Sequence, residues 1–351
     1  MTSRKGANNM LIKKRLKEIS IAVIGDYFLD QFLYIDMNKT SESLYVNGPA
    51  YYVNGIKKSA GAAGTIAKNL ANLGVGHIYA VGFVGNDGNG IELRNAMIEL
   101  GIDCSGLITT DIRITPTYTI ILHQNGSSQH EICEYDYLNN KVTPLELQKQ
   151  ISDVINKLSY ENNLDAIIAL DQLDTEDCGV ITALVSETLS YIANEKLVYF
   201  DSRKHVGRIK NAIIKCNYRE FIGSALYDNS IAFKESCKKA SKKTGQILIV
   251  TKDEDGAFIA SDGDLLHIPA KKIKQPIDSR GAGDAFTSGF ITAFCCEIPL
   301  YIAGLIGATT ASMCVTQIGT TGCMLFDDVV DNFERWYIHD NLGHFPEIAH
   351  R

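Results

Sequence analysis

Residues 278–286 read DSRGAGDAF, with a lone carboxylate, Asp284, directly after Gly281, Ala282 and Gly283. The small residues let the backbone approach a ligand closely, and the apolar stretch that follows is typical of a buried helix. A helix begins with unpaired N–H groups and a partial positive charge, so this turn suits a phosphate oxygen. Asp284 beside it could take a proton from an attacking hydroxyl. Phosphoryl transfer needs both features, although a helix-capping aspartate has the same local pattern.

The elements that must position this turn alternate between strand-like and helix-like runs, which predicts a parallel sheet with helices on both faces. The strand-like runs are IAVIGD (21–26), IYAVGFVG (78–85), DAIIALD (165–171), KLVYFD (196–201), AIIKCN (212–217) and QILIVT (246–251). The helix-like runs are LIKKRLKEIS (11–20), GAAGTIAKNLANLG (61–74), GIELRNAMIELG (90–101) and GVITALVSETLSYIA (179–193). Two β-rich excursions, near 34–60 and 115–135, carry Asn-Gly pairs that predict turns at 47–48, 54–55 and 125–126.

Polar residues follow the apolar part of five of these strands, where ligands of such sheets bind. They are Asp26, Asp171, Asp201, Asn217 and Thr251. One such residue is most often a helix cap or turn residue. Five of them, together with the glycine turn, predict a ligand site at this edge of the sheet.

Composition sets limits on the function. The chain has 351 residues and no Pro- or Ser-rich linker, which predicts a single domain over 1–351. A net charge of -7 gives no general attraction for nucleic acid, so the basic stretch 234–245 is interpreted as a solvated helix face. Nine cysteines without metal or disulfide spacing, and an N-terminus without a secretory apolar region, predict a cytoplasmic protein. The nearly uncharged stretch 285–326 contains many small polar residues and Pro299, which predicts two buried helices and no membrane span.

DSRGAGDAF resembles the C-terminal signature of the ribokinase-like, or PfkB, family of carbohydrate kinases, and the likeness covers roughly residues 20–330. Four further segments are similar to family motifs: VIGDYFLDQF, AGAAGTIAKNLANLG, CNYREF (the N-x-x-E motif) and VTKDEDGAF. GATTASMCVTQIGT resembles the helix and turn under the adenine. The resemblance implies a three-layer α/β fold with a mainly parallel central sheet and a small β lid. It also implies ATP-dependent transfer of a phosphoryl group to a sugar hydroxyl. Within the family, GDYFLD, GFVGNDGNG and EYD resemble the heptose 7-phosphate kinases.

Family motifs imply a role for each matching residue. Asp284 would be the catalytic base, and the amides of Gly281 to Gly283 would form the anion hole. The residues implied at the nucleotide and Mg²⁺ are Asn217, Glu220 (to Mg²⁺ through water), Thr251, Lys252, Asp253, Gly256, Gly307, Ala308, Gly319 and Thr320. The residues implied at the sugar are Asp26, Asp30, Gly61, Ala62 and Thr65. Asp278 is implied to bind a monovalent cation such as K⁺.

Departures from the family pattern leave alternatives open. Ala62 and Thr65 stand where the family commonly has a second glycine and an asparagine, and Asp253 replaces a small residue. The substrate could therefore be a sugar phosphate, an unphosphorylated sugar or a nucleoside, or the chain could be a catalytically silent binding protein. A phosphorylated substrate needs a cationic pocket, for which location suggests Lys57, Lys58, Arg203 and Lys204. Because lids of this family often form the dimer contact, the resemblance also implies a homodimer.

Overall fold

The computed structural model describes residues 2–45, 47–125, 128–274, 276–316 and 324–339. Its strands form two sheets. In chain order the strands are β1 (Ser20–Gly25), β2 (Tyr27–Glu42), β3 (Pro49–Ala62), β4 (His77–Gly85), β5 (Asp103–Thr110), β6 (Thr117–Asn125), β7 (Ser128–Tyr137), β8 (Ala166–Asp171), β9 (Val198–Ser202), β10 (Ile213–Asn217), β11 (Leu248–Thr251), β12 (Ala257–Ser261) and β13 (Asp264–Ile268).

The larger sheet has the strand order β13-β12-β11-β10-β9-β8-β1-β4-β5. Its strands from β11 to β5 are parallel, and β12 and β13 add an antiparallel edge. The mainly parallel sheet predicted from the alternation is therefore confirmed. The sequence pattern does not predict β5, β12 and β13, which lie at the two ends of this sheet.

The helices cover the larger sheet. In chain order they are α1 (Thr2–Glu18), α2 (Ala63–Leu73), α3 (Gly88–Ile98), α4 (Leu145–Glu161), α5 (Ala183–Ile192), α6 (Tyr218–Ile222), α7 (Phe233–Thr244), α8 (Ala282–Cys295), α9 (Leu300–Cys314) and α10 (Phe326–Phe333). Helices α8 and α9 confirm the two buried helices expected after residue 285. Across the described ranges, every helix is too short or too polar to cross a bilayer.

Two cores on opposite faces of the sheet make the three layers. Ile21 and Val23 of β1 pack in one core with α2, α8 and α9, whereas Ala22 and Ile24 pack in the other with α4 and α5. Because successive side chains of a strand point to opposite faces, a strand buried on both sides is apolar throughout. This geometry brings the carboxyl ends of the parallel strands to one edge, where α8 also begins.

The smaller sheet, which we call the lid, has the order β3-β2-β6-β7. Asp26 alone separates β1 from β2, so the lid continues directly from the edge of the larger sheet. Register pairs Asp30 of β2 with Tyr118 of β6, and Phe28 packs edge-to-face against the Tyr118 ring at 4.8 Å. The lid therefore presents Phe28, Asp30 and Tyr118 on one face.

The lid corrects two details of the sequence prediction. Its first strand begins at Tyr27 rather than near 34, and Gly55 pairs with Tyr34 inside β3, so the turn predicted at 54–55 is wrong. Asn54 is an extra residue between the Tyr34–Gly55 and Ile35–Val53 pairs, so the Asn-Gly pair lies at an irregularity within the strand and not at a turn. The turn predicted at 47–48 does lie in the β2–β3 connection, where the Ser43 amide donates to the Gly48 carbonyl at 3.0 Å. The pair at 125–126 extends beyond the described residues.

Candidate active site

Asp284 lies in the first turn of α8, at the edge of the sheet where the strands end. Gly281 precedes the helix with a left-handed φ of 75°, a conformation that favours glycine. Among the residues that the structure describes, no side chain caps this end of α8. The Ala282 amide donates to the Ser279 carbonyl at 3.3 Å. The next amide, that of Gly283, lies in the first turn of the helix, where an N–H group has no intrahelical partner and can bind an anion.

Burial raises the pKa of the Asp284 carboxyl to about 7. Four charges act on this carboxyl: Lys215 and Arg203 lower its pKa, and Asp201 and Asp30 raise it. The fold thus brings Asp30 of the lid and Asp284 of α8, which are far apart in the sequence, to one site. A carboxylate with this pKa is suited to accept a proton near neutral pH.

Lys215 is a site residue that sequence reasoning missed. Its Nζ lies 2.6 Å from Asp201 Oδ2, and both side chains are buried. A Cβ added at Gly283 would lie 3.0 Å from the same Nζ, so the ammonium lies against the turn at the start of α8. Burial opposes the charge of Lys215, but Asp201 reverses this and holds the lysine pKa above its ordinary value. The available signal was a lysine inside the apolar run IIKCN, because a buried cation requires a partner.

Asn217 and Glu220 of the N-x-x-E motif form a capping box at the start of α6. Asn217 Oδ1 accepts from the Glu220 amide at 2.9 Å, and Glu220 Oε2 accepts from the Asn217 amide at 2.6 Å. Burial, then the charge of Asp201, raises the pKa of Glu220, while Arg203 opposes the shift. The box orients one carboxylate toward the charged cluster around Asp284.

The two residues predicted at the nucleotide strand both have intramolecular partners. The Thr251 hydroxyl donates to the Cys216 carbonyl at 3.4 Å, which ties β11 to β10. Lys252 Nζ lies 2.8 Å from Asp255 Oδ2 and 5.2 Å from the centre of the Tyr218 ring. The structure therefore places Lys252 over α6, beside the capping box.

Asp253 and Gly256 form the turn between β11 and β12. Asp253 begins a 3₁₀ turn, Asp253–Asp255, with a φ of 42°. Gly256 has a φ of 86°, and a Cβ there would lie 2.0 Å from the carbonyl oxygen of Ile268. Backbone geometry requires glycine at position 256, whereas Asp253 adopts a left-handed conformation at some cost.

The residues predicted near the adenine are only partly described. Gly307 and Ala308 lie inside α9, and a Cβ at Gly307 would lie 3.0 Å from the Phe286 carbonyl oxygen. Gly307 thus permits close contact between α8 and α9. Gly319 and Thr320 lie outside the described residues.

On the sugar side, Asp30 is buried and packs against Gly61 of the neighbouring strand. A Cβ at Gly61 would lie 2.3 Å from Asp30 Oδ1, so the carboxylate needs glycine at this position. Ala62 adopts a φ of 52°, a conformation that favours glycine, which stands there in the family pattern. Thr65 is buried, and its hydroxyl donates to the Ala60 carbonyl at 3.2 Å. Thr65 therefore connects the end of β3 to α2.

Asp26, the other predicted sugar-binding acid, organises a loop. Its Oδ1 accepts from the Val180 amide at 2.8 Å and its Oδ2 from the Gln172 amide at 3.2 Å. Burial, then the charge of Asp171, raises the pKa of Asp26 to about 7. Asp171 in turn accepts from His205 Nδ1 at 2.8 Å. Both carboxylate oxygens of Asp26 therefore accept hydrogen bonds from backbone amides. These bonds belong to a different network from that of Asp284.

Asp278, for which a monovalent cation was predicted, is bonded to a cation of the chain itself. Its two carboxylate oxygens each lie 3.1 Å from Nε of Arg280, and the Arg280 amide donates to Oδ1 at 3.0 Å. The Asp278 side chain is 10% exposed. With these partners in place, the residues present do not fit K⁺ at this carboxylate.

The fold is that of the ribokinase-like proteins. The chain is similar to a ribokinase of Arabidopsis thaliana in complex with ribose and ATP, with a TM-score of 0.64, 18% identity, and coverage of 90% of this chain and 99% of that one. It is also similar to an Escherichia coli protein, provisionally classed as a ribokinase II, in complex with ATP and Mg²⁺. There the TM-score is 0.65 at 16% identity, covering 90% and 99%. These likenesses confirm the predicted fold class.

Residues 20–326 match the model of the pfkB family of carbohydrate kinases, and the chain belongs to that family. Carbohydrate kinases are phosphotransferases that use a sugar hydroxyl as acceptor. Among curated proteins, the bifunctional protein HldE of Geotalea uraniireducens is 26% identical over 319 residues, which cover 88% of this chain and 61% of HldE. The chain thus spans about three fifths of the length of that relative.

Proposed function

We propose that this chain is an ATP-dependent sugar kinase in which Asp284 is the base and the start of α8 binds the transferred phosphoryl group. The observation that carries the proposal is the position of Asp284 at an uncapped helix start, with the Lys215 ammonium against the same turn. Asp284 takes the proton of the acceptor hydroxyl while the hydroxyl oxygen bonds to the γ-phosphorus of ATP. The bond between that phosphorus and the β–γ bridging oxygen breaks, and ADP leaves. The amides around Gly283 and the Lys215 charge stabilise the negative charge on the phosphoryl oxygens.

Mg²⁺ would be held on the side of Asn217 and Glu220, where it would neutralise charge on the nucleotide phosphates. Glu220 offers a partly exposed carboxylate beside Asn217. Within the described ranges, no three acidic, histidine or cysteine side chains gather as a metal-binding group. That fits Mg²⁺, which keeps much of its water and takes phosphate oxygens as ligands. Asp30, which packs against Gly61, would accept hydrogen bonds from the sugar.

For the substrate, we propose a sugar phosphate of the heptose 7-phosphate type. Support comes from the similarity to HldE proteins and from motifs shared with heptose phosphate kinases. A kinase of an unphosphorylated sugar or nucleoside is the second candidate, because Ala62 and Thr65 depart from the family pattern on the sugar side. A silent binding protein is the third.

ATP turnover with matched sugar pairs tests these alternatives. Each sugar is offered with and without a terminal phosphate, and nucleosides are included. Heptose 7-phosphate should give the highest kcat/KM. A higher kcat/KM for an unphosphorylated sugar would reject the proposed sugar-phosphate substrate, but the proposed kinase activity would stand. Binding of ATP without turnover of any sugar or nucleoside would favour a catalytically silent binding protein.

Arg203 is the cation best placed to recognise a substrate phosphate. It follows β9, and its positive charge opposes the raised pKa values of both Tyr118 of the lid and Asp284. We expect Arg203→Glu to raise KM for the phosphorylated sugar at least about tenfold, because charge reversal at short range opposes an anion, with a much smaller change in KM for ATP. Initial rates measure both constants. Lys58→Glu is the control, since Lys58 pairs with exposed Glu92 at 3.1 Å. Equal effects on both substrates would remove this role for Arg203.

We also propose a homodimer built on the lid. The lid exposes apolar and aromatic side chains, among them Tyr51, Tyr52, Val53, Ile56, Tyr135 and Tyr137. Such a surface is typical of an interaction site. Light scattering at micromolar concentration should give twice the chain mass, and Ile56→Asp with Tyr135→Asp should give a monomer. A wild-type monomer would contradict the proposal.

The same reaction needs ATP, which supports a cytoplasmic location. All cysteines of the described ranges are free thiols, as suits a reducing compartment. Fractionation of the producing cell would check this placement.

A further inference from the structure

Arg280 directly precedes the glycine turn, and its side chain folds back onto the loop that carries it. Its Nε lies 3.1 Å from each oxygen of Asp278, and its amide donates to Oδ1 of the same carboxylate at 3.0 Å. Asp278 is bonded through its backbone to Val315, after α9. The Arg280–Asp278 contact therefore fixes the loop immediately before Gly281.

The same guanidinium reaches the lid. Arg280 Nη1 lies 3.3 Å from Oε2 of Glu131 on β7. Register along β7 is shifted at this point, because Cys133 pairs with Ile121 while Glu131 pairs with Leu122, which leaves Ile132 as an extra residue. A bulge of this kind redirects neighbouring side chains. The Arg280 guanidinium thus contacts the largely buried carboxylate of Asp278 in the glycine-turn loop and the half-exposed carboxylate of Glu131 in the lid.

A monovalent ion at Asp278 would have to displace this contact. An Arg guanidinium is permanently charged and matches a carboxylate through fixed N–H donors, whereas a free ion is exchangeable. Arg280 is also tethered two residues from Asp278, so it is present at high effective concentration whatever the salt.

From this geometry we infer that Arg280 is a positioning residue: its guanidinium serves as the built-in cation of the glycine-turn loop and makes the chain independent of an exchangeable monovalent ion. The inference rests on the proposed function for its effect on turnover. Its structural effect, a correctly shaped turn before α8, can be measured without any sugar.

The first test compares KCl with choline chloride at equal ionic strength in the wild-type chain. Melting temperature, ATP affinity by calorimetry and, with a sugar substrate, kcat should be the same in both salts. An ion that binds the folded state alone raises the melting temperature as its concentration increases. Saturable stabilisation or activation by K⁺ beyond choline would overturn the inference.

The second test uses Arg280→Ala with Glu131→Gln as its matched control. Arg280→Ala removes the guanidinium from Asp278 and keeps the backbone hydrogen bond. We expect kcat/KM to fall at least about tenfold through misplacement of the turn, and ATP affinity should fall with it. K⁺, but not choline, should recover part of both losses. Glu131→Gln keeps the Asp278 contact and should stay independent of the ion.

Two outcomes with Arg280→Ala would reject the inference: wild-type melting and ATP affinity in both salts, or losses that K⁺ does not recover. If no sugar were phosphorylated, the proposed kinase function would fail, yet melting and ATP affinity would still decide the role of Arg280.

Discussion

Asp284→Asn is expected to lower kcat for sugar phosphorylation by at least about a hundredfold, because the amide cannot accept the proton of the hydroxyl. ATP affinity and melting temperature at neutral pH should stay close to wild type. The amide keeps the shape of the side chain and removes a charge that burial, Asp201 and Asp30 oppose. Steady-state rates and thermal melts measure the two effects. The control is Asp327→Asn, at an exposed ion pair with Lys13, which should retain wild-type turnover.

The pKa of Asp284, raised to about 7, sets the direction of the pH dependence. The base must be deprotonated, so wild-type kcat/KM should fall as the pH decreases through about 7. Folding stability changes in the opposite direction. A carboxyl with a higher pKa in the folded state than its unfolded value of about 3.9 holds its proton more tightly when folded. Its contribution to stability is complete below the unfolded pKa and is lost as the pH rises through about 7.

In Asp284→Asn both pH effects should disappear. The kcat/KM of the variant should be low and should not change as the pH decreases through about 7. Its melting temperature should change less than that of the wild type between pH 5 and 8. Turnover that stays near wild type on the best substrate would reject Asp284 as the base, and with it the proposed mechanism.

Lys215→Met is expected to reduce both stability and turnover. The substitution leaves Asp201 buried without the ammonium that lies 2.6 Å away, and breaking a buried pair costs about 3–5 kcal/mol. It also removes the positive charge beside Gly283. By analogy with loss of one donor to a developing anion, turnover should fall roughly 10²–10³-fold. Urea unfolding and kcat measure these losses separately.

The double variant Asp201→Asn with Lys215→Met separates the two causes. Replacing a buried ion pair by neutral groups is often close to neutral for stability, so most of the lost unfolding free energy should return. Turnover should not return, because the charge at the glycine turn is still absent. Recovery of both would show that Lys215 has a structural role alone.

Local patterns in the sequence determined the parallel sheet, the α2 and α8 helices, and the glycine turn at DSRGAGDAF. Strands buried on both faces must be apolar, and a helix that follows a glycine turn must expose its first amides, so these features can be read from a few adjacent residues. The strand-end residues Asp201 and Asn217 were also predicted at the correct edge, because parallel strands end together.

Tertiary structure alone decided which of these residues meet, and with what partners. Asp26 and Asp30 are four residues apart and look alike in sequence, yet the step from β1 into β2 directs Asp26 to the backbone of Gln172 and Val180 and Asp30 to Gly61. Pairing over long sequence separations likewise produced the Lys215–Asp201 ion pair and the contact of Arg280 with the lid. A charged side chain in an apolar run, or beside a glycine turn, indicates that a partner is needed. The partner is set by the register and packing of distant strands, which no local pattern contains.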